Sequence, residues 1–121
     1  MKSTARSEIA INPIARKIEA IERKGALLAV DIANVVGARP ETVSRWNQGK
    51  AFPQPDKEKL LLDLEYVVDQ LSDLYGPTEA RLWLFGRQKL LGGQTPAALI
   101  QAGRTDDVLR VIGQLRDGIY I

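Results

Sequence analysis

Apolar residues recur every three or four positions along nearly the whole chain, and almost nowhere do they alternate over a strand's length. The first such run comes after Pro13, which suits the opening position of a helix because a proline there gives up an amide with no intrahelical partner. Ile14, Ile18 and Ile21 then share one face, and Gly25 is expected to end the helix. A second helix is expected from Leu28 to Val36, stopped by Gly37, and a third from Pro40 to Gln48, stopped by Gly49. Between them stands only Gly37-Ala38-Arg39, short enough to force a sharp corner. The next stretch, Lys50-Ala51-Phe52-Pro53-Gln54-Pro55, cannot be helical throughout, since each proline lacks an amide and restricts the residue before it.

A long fourth helix is predicted from Asp56, with the Asp56 carboxylate as its cap, to the break at Gly76-Pro77. Leu60, Leu61, Leu64, Val67, Val68, Leu71 and Leu74 form its broad apolar stripe, which makes it the spine of the molecule. After Pro77 a helix should turn Ala80, Trp83 and Leu84 inward, and Gly86 and Gly92-Gly93 punctuate the segment beyond it. Thr95-Pro96 reads as cap plus first residue of a short helix to about Ala102. A last helix, Thr105 to Gly118, carries Val108, Leu109, Val111, Ile112 and Leu115, with Asp106 and Asp107 in its first turn where the helix dipole favours them. The fold class is therefore all-α. Residues 1–55 form an N-terminal unit, and residues 56–121 a long connecting helix with a small C-terminal helical unit.

Composition narrows the function classes. The chain has 121 residues, 45% of them hydrophobic and 26% charged, as a globular protein does. It contains no cysteine and no histidine. A thiolate or imidazole zinc site is thereby excluded, as is His-dependent catalysis. Asp106-Asp107 and the pair Asp69 and Asp73 have no third ligand, and Gly92-Gly93 lacks the lysine of a phosphate-binding loop. No enzyme activity, metal or cofactor is expected. The N-terminal residues are charged rather than apolar, and no run approaches the roughly 20 apolar residues needed to span a bilayer. A cytoplasmic location, with no membrane partner, is the default expectation. Residues 1–60 hold eleven Lys or Arg against seven Asp or Glu, and residues 61–121 six against eight. The basic half is the natural side for a phosphate backbone.

The most informative spacing is Ala33, Gly37, Val43 and Trp46. Ala33 is small where two helices cross closely, and Gly37 suits a left-handed turn. Val43 and Trp46 should face back onto Ile32 and Val36. A helix-turn-helix needs this arrangement, because its second helix must be clamped on one face while the other looks outward. The outward face carries Arg39, Glu41, Thr42, Ser44, Arg45 and Gln48. Arg45 and Thr42 are the candidates for base contact, since Arg pairs with guanine and Thr can meet a thymine methyl. Ser44, Asn47, Gln48 and Lys50 are candidates for phosphate contact, and Arg39 completes the DNA-binding set. Glu41 is read as a cap or ion-pair partner of the helix.

Residues Leu28 to Gly49 resemble the Xre/Cro-type repressor helix-turn-helix. Further on, Ala80-Arg81-Leu82-Trp83-Leu84-Phe85, then Leu90-Leu91-Gly92-Gly93-Gln94-Thr95-Pro96-Ala97-Ala98-Leu99-Ile100, then Val108 through Gly118, are similar to the toxin-binding domain of the MbcA/ParS/Xre antitoxin family. Trp83, Gly92, Gly93 and Pro96 are the structural positions of that match. Phe85-Gly86-Arg87-Gln88 departs from it by lacking the family's usual Asn. The resemblance implies a partner of RES-domain toxins that consume NAD, whose C-terminal domain obstructs the toxin's NAD pocket while the complex sits on double-stranded operator DNA and represses its own promoter.

On physical grounds Arg104, Arg110, Arg116, Asp117, Tyr120 and Ile121 are the candidates for the toxin surface, being on the last helix or tail and outside its apolar stripe. Tyr120 and Ile121 could equally tuck onto the chain's own core. Operator symmetry calls for a homodimer, or for a larger hetero-oligomer with the toxin, and Leu61, Leu64, Val68 and Leu71 are candidates for its seam. The alternative function is a stand-alone dimeric helix-turn-helix repressor, which would need no toxin.

Overall fold

The computed structural model describes residues 12–118, and among these it contains seven α-helices and one 3-10 turn. The helices are α1 (Pro13–Gly25), α2 (Ala29–Val36), α3 (Pro40–Asn47), α4 (Pro55–Leu71), α5 (Pro77–Phe85), α6 (Pro96–Gln101) and α7 (Thr105–Arg116), with the 3-10 turn at Lys89–Leu91. The only pairing of strand type among the described residues is an isolated bridge between Gln88 and Gln94. The apolar tail Ile119-Tyr120-Ile121 lies outside the described residues.

Proline fixes most of the helix starts. Pro13, Pro40, Pro55, Pro77 and Pro96 each stand in the first turn of a helix, where a fixed φ is useful and a missing amide costs nothing. Thr95 caps α6 as expected, its Oγ1 accepting from the Ala98 amide at 3.1 Å. Asn12 caps α1, its Oδ1 accepting from the amides of Ile14 and Ala15 at 3.1 and 3.2 Å. Asp56, by contrast, is not a cap. The helix starts one residue earlier behind Gln54, and Asp56 sits in its first turn, where its charge still favours the dipole. At the other end α4 stops at Leu71 instead of reaching Gly76, because Ser72 to Tyr75 fold into a turn, with the Tyr75 amide donating to the Leu71 carbonyl at 2.8 Å. Leu74 is thus a half-buried turn residue rather than part of the helical stripe.

The end of α1 also differs from expectation. Gly25 does not terminate the helix; it is its last, buried residue, and Ala26 adopts the left-handed conformation (φ 53°, ψ 35°). The reason is steric. A Cβ on residue 25 would stand 2.8 Å from Leu27 Cδ1 and 3.1 Å from Val68 Cγ1, so the glycine is spent on close helix packing and the strained cap falls to alanine.

One continuous core joins the first and last described helices. Ile18 and Ile21 of α1, Ile32 of α2, Leu61, Leu64 and Leu71 of α4, Leu84 of α5, Ile100 of α6 and Ile112 of α7 are all fully buried in it. Helix α4 touches α1, α2, α6 and α7, and α2 also rests on α6. Leu61, Leu64, Val68 and Leu71 are therefore committed to this core, which corrects their assignment to a dimer seam. Trp83 is half-buried against the core rather than enclosed by it.

Polar clasps trim the packing. Lys17 meets Glu65 at 3.5 Å and Lys24 meets Asp69 at 2.6 Å, tying α1 to α4. Thr105 Oγ1 donates to Asp63 at 3.0 Å, which satisfies a hydroxyl inside the core. The Arg81 guanidinium of α5 lies 5.4 Å above the Phe85 ring centroid, bonds both oxygens of Asp31 in α2, and donates to the Ala26 carbonyl at 3.2 Å. This hydrogen bonding from Arg81 is the main reason the Asp31 carboxyl titrates below its usual range, outweighing the opposing effect of burial.

Two outcomes test these readings. Gly25→Ala should cost about 1–3 kcal/mol by overpacking, whereas Ala26→Gly should add up to about 1 kcal/mol by relieving the left-handed alanine; denaturant midpoints that ranked the two variants the other way would refute the packing argument. Because Asp31 has a folded pKa below its unfolded one, its contribution is complete above about pH 4 and is lost as pH falls through the folded value. Thermal melts between pH 6 and 3 should show Asp31→Asn to have a shallower acid loss than the parent chain.

Candidate functional site

The corner between α2 and α3 is built from backbone requirements. Gly37 takes φ 74° and ψ 40°, a left-handed conformation that only glycine adopts without strain. Its amide and that of Ala38 both donate to the Ala33 carbonyl, at 2.8 and 2.9 Å, so two donors close on one acceptor at the helix end. Lys57 at the start of α4 donates to the Gly37 carbonyl at 2.8 Å and ties the turn to the spine. Arg39 is extended (ψ 151°), and Pro40 restarts the helix in a new direction. The start of α2 is closed by Asp31, whose carboxylate accepts from the Leu28 amide at 2.8 Å; Leu28 thus precedes the helix rather than belonging to it.

Val43 and Trp46 are buried, with 1% and 3% of their surface exposed, beside the buried Ile32, Ala33 and Val36. With that face clamped, α3 turns the other to solvent. Arg39, Glu41, Arg45, Asn47, Gln48 and Lys50 are exposed, and Thr42 and Ser44 are half-buried. Gln48 and Lys50 lie just past the helix, which closes through Gly49 (φ 74°) with the Lys50 amide donating to the Arg45 carbonyl at 2.9 Å. A Cβ at Gly49 would stand 3.0 Å from Asn12 Nδ2, so the cap of α1 abuts the end of α3. Among the described residues, none of the seven candidate side chains is engaged in an ion pair or side-chain hydrogen bond.

The second candidate face does not form one cluster. Arg104, at the residue preceding α7, and Arg110, in its second turn, are both held by Asp107, at 2.8 Å and 3.1 Å. Arg104 first, and Arg110 after it, keep the Asp107 carboxyl below its usual range. Arg116 and Asp117 lie at the far end of the helix, about 18 Å from Arg104 at 1.5 Å per residue. There Arg116 bonds Gln70 at 2.6 Å and stands 3.7 Å from Asp73, with Asp117 exposed at the helix end. Tyr120 and Ile121 lie outside the described residues. Helix position alone marks Asp107 only as a dipole partner; its spacing to Arg104 and Arg110, three positions either way, is the sequence signal for the clamp.

Gly86 and Gln88 shape the loop between α5 and α6. A Cβ at Gly86 would meet the Leu82 carbonyl at 2.8 Å. The Gln88 side chain donates to the Trp83 carbonyl at 3.0 Å, while its backbone bonds Gln94 and Gly93 and closes the loop. Gly92 and Gly93 take positive φ of 66° and 83°, and Pro96 is buried. No cluster of metal-ligating residues exists among the described residues, and no described helix is long and apolar enough to cross a membrane.

No family model matches the chain. Among curated proteins it is similar to the mycobacterial cidal antitoxin MbcA of Mycobacterium bovis and of Mycobacterium tuberculosis, with 32% identity over 112 residues that span 92% of this chain and 98% of each relative. A probable mycobacterial cidal antitoxin of M. tuberculosis is also 32% identical, over 88% of this chain and 95% of its own length. Among solved structures, a chain of the crystal structure of the M. tuberculosis MbcT–MbcA toxin–antitoxin complex superposes with a TM-score of 0.82 at 32% identity, covering 92% of this chain and 100% of that one. Near end-to-end likeness in both sequence and fold makes this chain a non-enzymatic, all-helical member of the MbcA antitoxin family.

Proposed function

We propose that the chain neutralises a RES-domain, NAD-consuming toxin by covering its active site with the C-terminal half, and that the pair represses its own promoter through α3. The observation that carries the first part is the match over almost the full length to an antitoxin whose crystal structure is a complex with its toxin. Support for the second part is electrostatic: α3 and the residues flanking it leave Arg39, Arg45 and Lys50 exposed, with Glu41 the one exposed carboxylate among them. Cationic side chains presented on a clamped helix suit a phosphate backbone and the guanine edges of the major groove. In this reading Arg45 and Thr42 read bases, and Arg39, Ser44, Asn47, Gln48 and Lys50 fix register. Arg104 and Arg110, with Arg116 and Asp117, meet the toxin, and Tyr120 and Ile121 extend that contact. A cytoplasmic setting follows from both partners.

Coexpression with the neighbouring gene product is the direct test. That product should arrest growth alone and be harmless beside this chain; arrest in both cases would end the antitoxin reading. A chain that bound its operator with undiminished strength and never copurified with a neighbour would instead be the stand-alone repressor.

The two faces should also separate by mutation. Arg45→Ala should cost about 1–3 kcal/mol of discrimination at one base pair while leaving toxin affinity unchanged. The double variant Arg104→Glu and Arg110→Glu should weaken toxin binding by at least about tenfold, roughly 1.4 kcal/mol, without altering operator affinity. Operator titrations and toxin pull-downs in which either variant damaged both activities equally would contradict this division.

A further inference from the structure

The charges of the C-terminal half are segregated. Residues 61–121 hold six Lys or Arg against eight Asp or Glu. Four of those cations are exposed in two stretches, Arg87 and Lys89 at the 3-10 turn and Arg104 and Arg110 at the start of α7. The 3-10 turn packs on α7, so the two stretches form one corner. Asp107 is the carboxylate that lies there, whereas Asp106 lines a different groove with Lys59 and Tyr66. Four cations against one carboxylate leave the corner at +3, while the remaining two against seven leave the rest of residues 61–121 at −5.

Between the 3-10 turn and α7 lies a notch of about 130 Å³. Its apolar side is Leu90, Leu91 and Leu99, of which Leu90 keeps 39% of its surface exposed, and its polar side is Arg104, Asp107 and Arg110. A space of this size suits one side chain, since small-molecule pockets begin at about 300 Å³. Its walls are tied together through the backbone: Gln88 donates to the Gln94 carbonyl at 3.1 Å, and the Arg104 amide donates to the Leu99 carbonyl at 2.8 Å.

Asp107 does not exhaust the guanidinium groups beside the notch. It takes Nε and Nη2 of Arg104 and Nη1 of Arg110, which leaves Arg104 Nη1 and Arg110 Nε and Nη2 to donate elsewhere. Among the described residues, Arg87 and Lys89 take part in no ion pair. The corner thus combines unspent donors of the kind that hold a carboxylate with an apolar recess at their side.

We infer that this corner receives an acidic segment of the toxin, with an Asp or Glu lying against Arg104 and Arg110 and an adjoining apolar side chain entering the notch beside Leu90. Arg87 and Lys89 add attraction at the rim. The inference rests on the antitoxin reading above, and adds to it the chemistry of the partner's segment and two further contact residues. A phosphate backbone suits the corner less well, because it would leave the recess between three leucines unfilled.

The experiment titrates the full chain against the product of the neighbouring gene. Combining Arg87→Glu with Lys89→Glu should raise the dissociation constant at least about tenfold and flatten its dependence on salt. Leu90→Asp should raise it by a similar factor. Arg23→Glu, a charge reversal at an exposed site of α1, should change it little. All these variants should keep the parent's operator affinity and its circular dichroism melt. A parent chain that neither binds nor neutralises the neighbouring product would end the antitoxin reading and this inference with it. Where the parent neutralises, the inference alone is overturned by an 87/89 double variant or a Leu90→Asp variant that binds as tightly as the parent, by an equal loss from Arg23→Glu, or by a loss of operator affinity in place of toxin affinity.

Discussion

Leu61, Leu64, Val67, Val68 and Leu71 of α4 are withdrawn from water among α1, α2, α6 and α7. At about 1.5–3 kcal/mol for each side chain fully buried, these five contribute on the order of 10 kcal/mol, comparable with the whole net stability of a small domain. The ion pairs that join α1 to α4 are partly exposed and belong to a class worth about 0–1 kcal/mol each. Packing therefore decides where the helices go, and the charges adjust their register. Neither end of the chain could keep this stripe covered without the other.

The corner that presents α3 depends on the same burial. Lys57, on the spine, holds the Gly37 carbonyl, and Arg81 reaches from α5 to Asp31 in α2. Val43 and Trp46 decide which side of α3 is left to solvent. The exposure of Arg45 thus depends on residues buried in the core, and α2 beside it is held by a cation fifty positions further along the chain.

Much of this is legible in the residue pattern because the signals are backbone rules. Prolines at helix starts, Gly37 at the corner and the Val43–Trp46 pair do not need to know their surroundings. The departures share another character. Gly25 has the look of a terminator because glycine usually is one, but the distance from residue 25 to Val68 outweighs the cap preference. Asp56 suits a cap by residue type, yet Pro55 claims the first helical position. The α4 leucines suit a dimer seam as well as a core, because one sequence cannot reveal which of two faces its own helices will cover. The latch of Arg81 on Asp31 joins residues fifty positions apart, and no local periodicity carries such a signal.

The clamp at the start of α7 bears on how a partner would meet this surface. One carboxylate holds two guanidinium groups and leaves a single positive charge over both. Long side chains ordinarily surrender rotamer freedom at the moment of association, at about 0.5–1.5 kcal/mol each. Here Asp107 already restrains Arg104 and Arg110 while the chain stands alone, so a partner docking at this surface would meet a pre-shaped contact and lose less affinity in ordering it.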